Sequence, residues 1–251
     1  MEKKERKENR YGLLGKNIGY SFSQGYFTKK FKDLGLADHS YQNFDIETIS
    51  KVEDILQQQG IKGLNVTIPY KQEIIPYLDR LDPIAQKIGA VNTIKIAPKG
   101  LIGYNTDAHG FKTALLPFLK AQHVKALVLG TGGASKAICF VLDELDIKHT
   151  YVSRSKKKNQ LLYDELDESV MQTHTLIINC TPVGTYPNIE DRPPIPYQYV
   201  GEKHLLFDLI YNPEKTRFLT LGEQKGAAIC NGKTMLVGQA EKAWEIWNTP
   251  D

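Results

Sequence analysis

The sequence predicts an α/β fold on mostly parallel sheets, divided between two domains. Three observations predict it. Short apolar runs at 11–14, 126–129, 149–152, 176–179 and 204–208 alternate with segments whose apolar residues recur at helical spacing. The strand-like run ending at Leu129 leads into the glycines of LVLGTGGASKA, and these lead into a helical pattern. The chain has 251 residues, 41% hydrophobic and 24% charged, enough to close one large domain or two modest ones.

Tyr11 to Leu14 forms the first strand, followed by the glycine- and serine-rich GKNIGYSFSQ. A helix fits from about Gln24 to Leu34, with Phe27, Phe31 and Leu34 on one stripe. Tyr41 to Phe44 is a strand, and Ile49 to Gln58 is helical until Gly60 stops it. In NVTIPYK, the apolar Leu64, Val66 and Ile68 alternate with Asn65 and Thr67, so Val66 and Ile68 are expected to secure a strand to a sheet. Pro69 ends that strand, because proline has no amide hydrogen for the ladder. Ile74 to Leu81 is expected to be helical, and Pro83 starts or kinks the next piece. Ala90 to Ile96 and Leu101 to Tyr104 are strands joined by the turn APKG.

A helix from about Ala108 to Leu119 begins the second half. Ala126–Leu129, the helix Ala134–Leu145 and the strands 149–152, 176–179 and 204–208 then read as βαβ units on a parallel sheet. The last helix, Lys233 to Trp247, puts Leu236, Ala240, Ala243, Trp244 and Trp247 on one face. The best domain boundary lies at Thr106–Ala108, giving units 1–107 and 108–232 and a terminal piece 233–251.

Bulk properties exclude several function classes. A net charge of +3 is a poor basis for binding nucleic acid. No apolar run approaches the ~18 residues of a membrane span. The charged N-terminus MEKKERKENR has no apolar core of a secretory signal and reads as a solvated lead-in. Cys139, Cys180 and Cys230 form no CxxC pair, and the six histidines show no ligand spacing, so no metal site is expected and a reducing cytoplasmic setting fits.

In LVLGTGGASKA, Gly130 permits a tight turn and Gly132 lets a pyrophosphate approach the backbone at a helix N-terminus, where orphan amides and the dipole favour anions. Ser135 stands where the usual fingerprint has its third glycine. Taken alone, the pattern serves a nucleotide loop or a glycine-rich turn equally. The strand before it, the helix after it and the strand at 149–152 favour the nucleotide. At the end of that next strand an NAD-specific site commonly carries an acid, but the chain reads YVSRSKKKN. Arg154, with Ser153 and Ser155, can pair with a 2′-phosphate that a carboxylate would repel, which predicts NADP. Lys157 and Lys158 fit a solvated turn.

The first half carries four polar clusters near strand ends: Ser21 and Ser23; Asn65, Thr67 and Lys71; Asn92 and Thr93; Asn105, Thr106 and Asp107. Each alone is more often a cap or turn. Together, ahead of a dinucleotide loop, they suggest a polar small-molecule site. A lysine beside an aspartate suits hydride transfer to a carbonyl, because the ammonium can stabilise or protonate the developing alkoxide and the carboxylate can orient it. The residue pattern by itself does not single out Lys71 with Asp107.

These motifs, in this order, resemble the shikimate dehydrogenase family. The resemblance runs from the serines of 15–23 through NVTIPYK, GAVNT, GYNTDAHG, VLGTGGASKA, SRS, NCTPVG and DLIYNP to NGKTMLVGQA, and so covers nearly everything from Tyr11 to Trp247. It implies an N-terminal α/β substrate domain with a mostly parallel sheet, a Rossmann-like NADP-binding domain, a cleft between them, and a C-terminal helix that packs back on the first domain. It implies reversible reduction of 3-dehydroshikimate to shikimate with NADPH, in the biosynthesis of chorismate and the aromatic amino acids. The catalytic pair would be Lys71 and Asp107. Ser21 and Ser23 would bind the carboxylate with Tyr211 nearby, and Thr67, Asn92, Asp107 and Gln239 would hold the ring hydroxyls and the reacting end. Gly130, Gly132, Gly133 and Ala134 would cradle the pyrophosphate, Ser153, Arg154 and Ser155 the 2′-phosphate, and Thr181, Val183, Leu209 and Gly232 the nicotinamide side. No nucleic acid or membrane is expected as a partner, and the family includes monomers and homodimers. The chain departs from the family at Tyr20 and Gln24, where His and Pro are usual around the serines, and at Ser153, where Asn is usual. Two other readings share most of these motifs: a quinate/shikimate dehydrogenase with relaxed substrate or cofactor use, and a non-catalytic NADP-binding regulatory protein.

Overall fold

The structure, a computed structural model, describes residues 8–19 and 21–250. The expectations placed on Tyr20 and on the first seven residues of the charged lead-in lie outside the described residues. The chain divides into two compact units, one of residues 1–106 with 240–251 and one of residues 107–239.

The first unit holds β1 (Asn9–Gly15), α1 (Phe22–Asp33), β2 (His39–Asp45), α2 (Val52–Leu56), β3 (Ile61–Val66), β4 (Arg80–Leu81), α3 (Pro83–Ile88), β5 (Thr93–Ala97) and β6 (Gly100–Tyr104). Its sheet runs β2-β1-β3-β5-β6-β4. The pairs of β1 with β2 and β3 are parallel, whereas β5 is antiparallel to both β3 and β6. Alternation along β1 sends Tyr11 and Leu13 to one face and Leu14 to the other, so each face carries its own core. On one face Phe27 and Phe31 of α1 pack with Ala240, Ala243 and Trp247 of the C-terminal helix. On the other, Leu64, Val66, Val91 and Ile94 pack with Val52 and Ile55.

The second unit holds α4 (Asp107–Leu115), β7 (Lys125–Leu129), α5 (Gly133–Glu144), β8 (Lys148–Ser153), β9 (Gln160–Leu162), α6 (Glu168–Thr173), β10 (Leu176–Asn179), β11 (Leu205–Asp208), α7 (Arg217–Gln224), β12 (Ala228–Cys230) and the start of α8 (Lys233–Asn248). Its six strands are all parallel in the order β9-β8-β7-β10-β11-β12. Counted along the chain from β7, this is the doubly wound dinucleotide-binding order, which reverses between β7 and β10. Strands β7, β10 and β11 are almost wholly buried, which explains their continuous apolar runs.

The structure corrects several expectations. Residues 74–81 form no α-helix but a 3₁₀ turn at Ile75–Tyr77 followed by β4. Pro76 explains this, since it offers no amide to an α-helical ladder and its ring would crowd the carbonyl four residues back. Pro117 likewise ends α4 at Leu115, leaving a 3₁₀ turn at Leu116–Phe118. Ile68 does not secure the third strand: β3 stops at Val66, the Ile68–Pro69 peptide bond is cis, and Ile68 is 62% exposed. The short elements β9, α6, α7 and β12 are additions that the sequence did not announce. Among the described residues, no helix is long and apolar enough to cross a membrane.

Candidate functional site

In the first unit, the expected ligand residues sit where strands end. Ser21 caps α1, its side chain accepting a hydrogen bond from the Ser23 amide at 3.2 Å. The loop ahead of it is held by the end of β2. The Asp45 carboxylate accepts from the amides of Asn17 and Ile18 at 2.8 and 3.1 Å, and the Asn43 amide nitrogen donates to the Ile18 carbonyl at 3.2 Å. Ser23 is buried and its side chain hydrogen-bonds the Tyr41 hydroxyl.

Thr67 and Lys71 lie in the turn after β3. The Thr67 amide donates to the Leu14 carbonyl at 2.9 Å, and the Tyr70 amide to the Thr67 carbonyl at 3.0 Å. The Tyr70 hydroxyl reaches the Ile46 carbonyl at 2.7 Å, and the Val91 amide donates to the Lys71 carbonyl at 2.7 Å. The lysine segment is therefore fastened to the residue before Asn92.

Asn92 itself is buried, and its Oδ1 accepts from the Thr106 amide at 2.7 Å and from the Thr93 hydroxyl at 3.2 Å. Behind it stand Thr93, Asn65 and Tyr41, all buried. In the sequence Asn65 and Thr93 stand as polar strand-end residues and Tyr41 only as a strand residue. The signal was the Asn placed between Leu64 and Val66: a carboxamide buried in a strand needs partners.

In the second unit, Gly130 follows β7 with φ of +95°, a left-handed conformation that favours glycine. Any side chain there would also meet Thr181 Cγ2 at 2.8 Å, so the glycine loop and the loop after β10 touch at the point where strand order reverses. Gly132 caps α5 without a side-chain hydrogen bond, no acid occupies the first turn, and a Cβ at Gly132 would face open space. Gly133 and Ala134 begin the helix. Ser135, in the third glycine's place, is fully buried and donates to the Gly132 carbonyl at 2.7 Å, so it braces the loop from within. Uncapped amides at the start of a twelve-residue helix, with open space before them, suit a pyrophosphate.

After β8, the Ser153 hydroxyl donates to the Ser155 carbonyl at 2.5 Å and so shapes the turn. Lys156 is paired with Glu165. Arg154 and Ser155 are exposed, and among the described residues Arg154 makes no salt bridge.

After β10, Asn179 Oδ1 accepts from the Thr181 hydroxyl at 2.6 Å and the Thr181 amide at 3.0 Å, and the Val183 amide donates to Thr181 Oγ1 at 3.2 Å. Asn179 Nδ2 donates to Asp208 Oδ1 at 3.0 Å, while the Thr216 hydroxyl donates to Asp208 Oδ2 at 2.6 Å. Burial pushes the Asp208 carboxyl up to about 6, against the pull of the bonds from Thr216, Ile210 and Asn179. Gly232 donates its amide to the Ile210 carbonyl at 3.0 Å, and a side chain there would strike the Leu209 carbonyl. Leu209 and Gly232 are thus adjacent.

Asp107 is the buried first residue of α4. One turn on, Gly110 packs against α8, where a Cβ would lie 2.9 Å from the Gln239 amide nitrogen. Tyr211 lies half-buried in the loop after β11. The first unit thus holds Ser21, Ser23, Thr67, Lys71 and Asn92, and the second holds Asp107, Tyr211, Gln239 and the loops suited to a dinucleotide.

The family description "Shikimate dehydrogenase substrate binding domain" matches residues 13–94. A shikimate dehydrogenase (NADP(+)) from Clostridium beijerinckii is 41% identical over 94% of this chain and 91% of its own length. The chain belongs to the shikimate dehydrogenase family. Among solved structures, a shikimate dehydrogenase from Peptoclostridium difficile superposes with a TM-score of 0.85 at 38% identity, over 97% of this chain and 93% of that one. The Thermus thermophilus shikimate 5-dehydrogenase in complex with NADP(H) and shikimate gives 0.84 at 30% identity, over 96% and 94%. Shikimate dehydrogenases therefore share both α/β units of this chain, including the Rossmann-like sheet of the second.

Proposed function

We propose that this chain catalyses the reversible, NADPH-dependent reduction of 3-dehydroshikimate to shikimate. The observation that supports this most is the glycine loop at the reversal point of the second sheet, uncapped, open, and followed by Arg154 rather than an acid at the end of β8. NADPH supplies the hydride. Gly130, Gly132, Gly133 and Ala134 receive its pyrophosphate on backbone amides, and Arg154, with Ser153 and Ser155, receives the 2′-phosphate. Thr181, Val183, Leu209 and Gly232 line the nicotinamide side.

On the substrate, Ser21 and Ser23 bind the carboxylate with Tyr211, and Thr67, Asn92, Asp107 and Gln239 hold the ring oxygens. Lys71 stabilises or protonates the oxygen that takes up negative charge, and Asp107 orients it and the neighbouring hydroxyl. Within this reading the protein is cytoplasmic, acts on small molecules as a monomer or homodimer, and uses neither nucleic acid nor membrane. A steady-state assay tests it, with shikimate and quinate each offered NADP and NAD. Reduced cofactor forming fastest with shikimate and NADP supports the reading. Turnover of quinate alone, or no turnover of either, overturns it.

A further inference from the structure

The Asn of NVTIPYK has no place in the functional roles above, yet it stands at the centre of a buried chain of hydrogen bonds in the first unit. The Tyr41 hydroxyl reaches across β1 to Asn65 Oδ1 at 2.8 Å. Asn65 Nδ2 lies 3.3 Å from the Asn92 carbonyl and 3.2 Å from Thr93 Oγ1. Thr93 Oγ1 in turn lies 3.2 Å from Asn92 Oδ1. None of these four residues is more than 5% exposed, so their polar atoms must be met by buried partners: one another, Ser23 at Tyr41, and Thr106 at Asn92 and Thr93.

Two backbone groups fix the orientation of both carboxamides. The Asn92 carbonyl can only accept, so Asn65 must turn its nitrogen toward it and its oxygen toward Tyr41. Tyr41 must then donate. The Thr106 amide can only donate, so Asn92 must turn Oδ1 toward it, at 2.7 Å. Thr93, set between a nitrogen and an oxygen, accepts from Asn65 and donates to Asn92, and its oxygen also lies 3.3 Å from the Thr106 hydroxyl. The hydrogen bonds therefore run one way, from Tyr41 through Asn65 and Thr93 to Asn92. The pairing of Asn65 with Thr93 across β3 and β5 builds the middle link into the sheet register itself.

We propose that Tyr41, Asn65 and Thr93 are positioning residues that, together with Thr106, hold the Asn92 carboxamide in one of its two orientations, with Oδ1 toward the Thr106 amide at 2.7 Å and Nδ2 donating to Thr106 Oγ1 at 3.0 Å. The proposal rests on Asn92 being a substrate residue, and the experiment separates the two claims.

Tyr41→Phe removes one hydroxyl and keeps the ring that stacks on Phe27 at 4.6 Å. It leaves Asn65 Oδ1 buried without its donor and also takes a partner from Ser23, so its coupling to a second cut in the chain is the deciding readout. The expected result is a shikimate KM raised about fivefold to tenfold, the scale of one buried hydrogen bond, with the NADP KM unchanged. Thr93→Val cuts the same chain at its middle. If both act through one chain, the double variant raises the shikimate KM no further than the worse single variant, whereas independent damage would multiply. A shikimate KM within about twofold of wild type in Tyr41→Phe, or an equal rise for NADP, overturns the proposal. Asn92→Ala distinguishes the levels. If it raises the shikimate KM while Tyr41→Phe does not, positioning alone fails. If it leaves the shikimate KM unaltered, the substrate role of Asn92 fails and the positioning claim falls with it.

Discussion

The Lys71 carbonyl accepts a hydrogen bond from the Val91 amide at 2.7 Å. It binds the turn after β3 to the strand lead that carries Asn92, through backbone atoms alone. The Lys71 side chain can therefore be changed without cutting the tie between the two segments, whereas the Asn92 side chain also holds the Thr106 amide at 2.7 Å.

Lys71→Ala tests this. The variant should keep its fold while kcat falls roughly 10²–10⁴-fold, the range for loss of a positioned acid. The shikimate KM should change far less than kcat, because the ammonium matters most as charge develops on oxygen. Turnover equal to wild type in a stopped-flow or steady-state assay would remove Lys71 from the mechanism.

Cofactor choice should reside in Arg154. Its neighbour Lys156 is already paired with Glu165, so Arg154 is the cation best able to meet a 2′-phosphate. Arg154→Ala should raise the NADPH KM roughly 10- to 100-fold, the worth of a charge-assisted hydrogen bond, and leave the NADH KM nearly constant. Equal effects on both cofactors would rule the clamp out.

Two glycines should respond to alanine in opposite directions. Gly63 lies flat against the Trp247 indole, whose Nε1 donates to the Ile94 carbonyl at 3.0 Å; a methyl there would press into the ring. Gly63→Ala should cost about 1–3 kcal/mol in chemical denaturation, as overpacking of a tight core does. Gly25, inside α1, has nothing within 4 Å of a Cβ. Gly25→Ala should stabilise by about 0.5–1 kcal/mol, because alanine suits a helix better. A Gly63→Ala protein as stable as wild type would mean the C-terminal helix does not pack on β3 as described.

How far the sequence revealed this architecture depended on how local each cause was. The buried strands β7, β10 and β11 are apolar along their length and stood out without any partner in view. The start of α3 was only half legible: Pro83 marks a break in the sequence, but the Asp82 cap that makes a helix start there shows only in the fold. By contrast, β9 and β12 are three-residue edge strands, and only the neighbours they pair with make them strands. Ile68 misled because alternation ran on past the true strand end at Val66.

The same division holds at the site. Gly130, Gly132 and Arg154 announce themselves through spacing, since a backbone approach and a charge can be read from residue type. The chain from Tyr41 to Asn92 joins positions 24, 28 and one residue apart in sequence, and nothing local marks Tyr41 as its donor. Asp208 was hidden for the same reason. DLIYNP shows an acid at a strand end, but only the fold shows that Asn179 and Thr216 close around it.

Asp208 should leave a signature in the pH dependence of stability. Its carboxyl is fully buried, and its value rises from 3.8 to about 6, chiefly through desolvation. Between those values the folded chain holds a proton that the unfolded chain has lost. Stability therefore falls as pH rises through that window, and the loss is complete above about 6. A rise of this size corresponds to on the order of 3 kcal/mol. Asp208→Asn keeps an oxygen for the Asn179 and Ile210 donors and turns a neutral amide toward Thr216, so it removes the ionisation while preserving the shape. Tm profiles of the two proteins from about pH 4 to 6.5 should diverge, the wild type losing ground to the variant as Asp208 ionises. Parallel profiles would show that the bonds from Thr216, Ile210 and Asn179 hold the carboxylate at no net cost, and that burial does not govern this group.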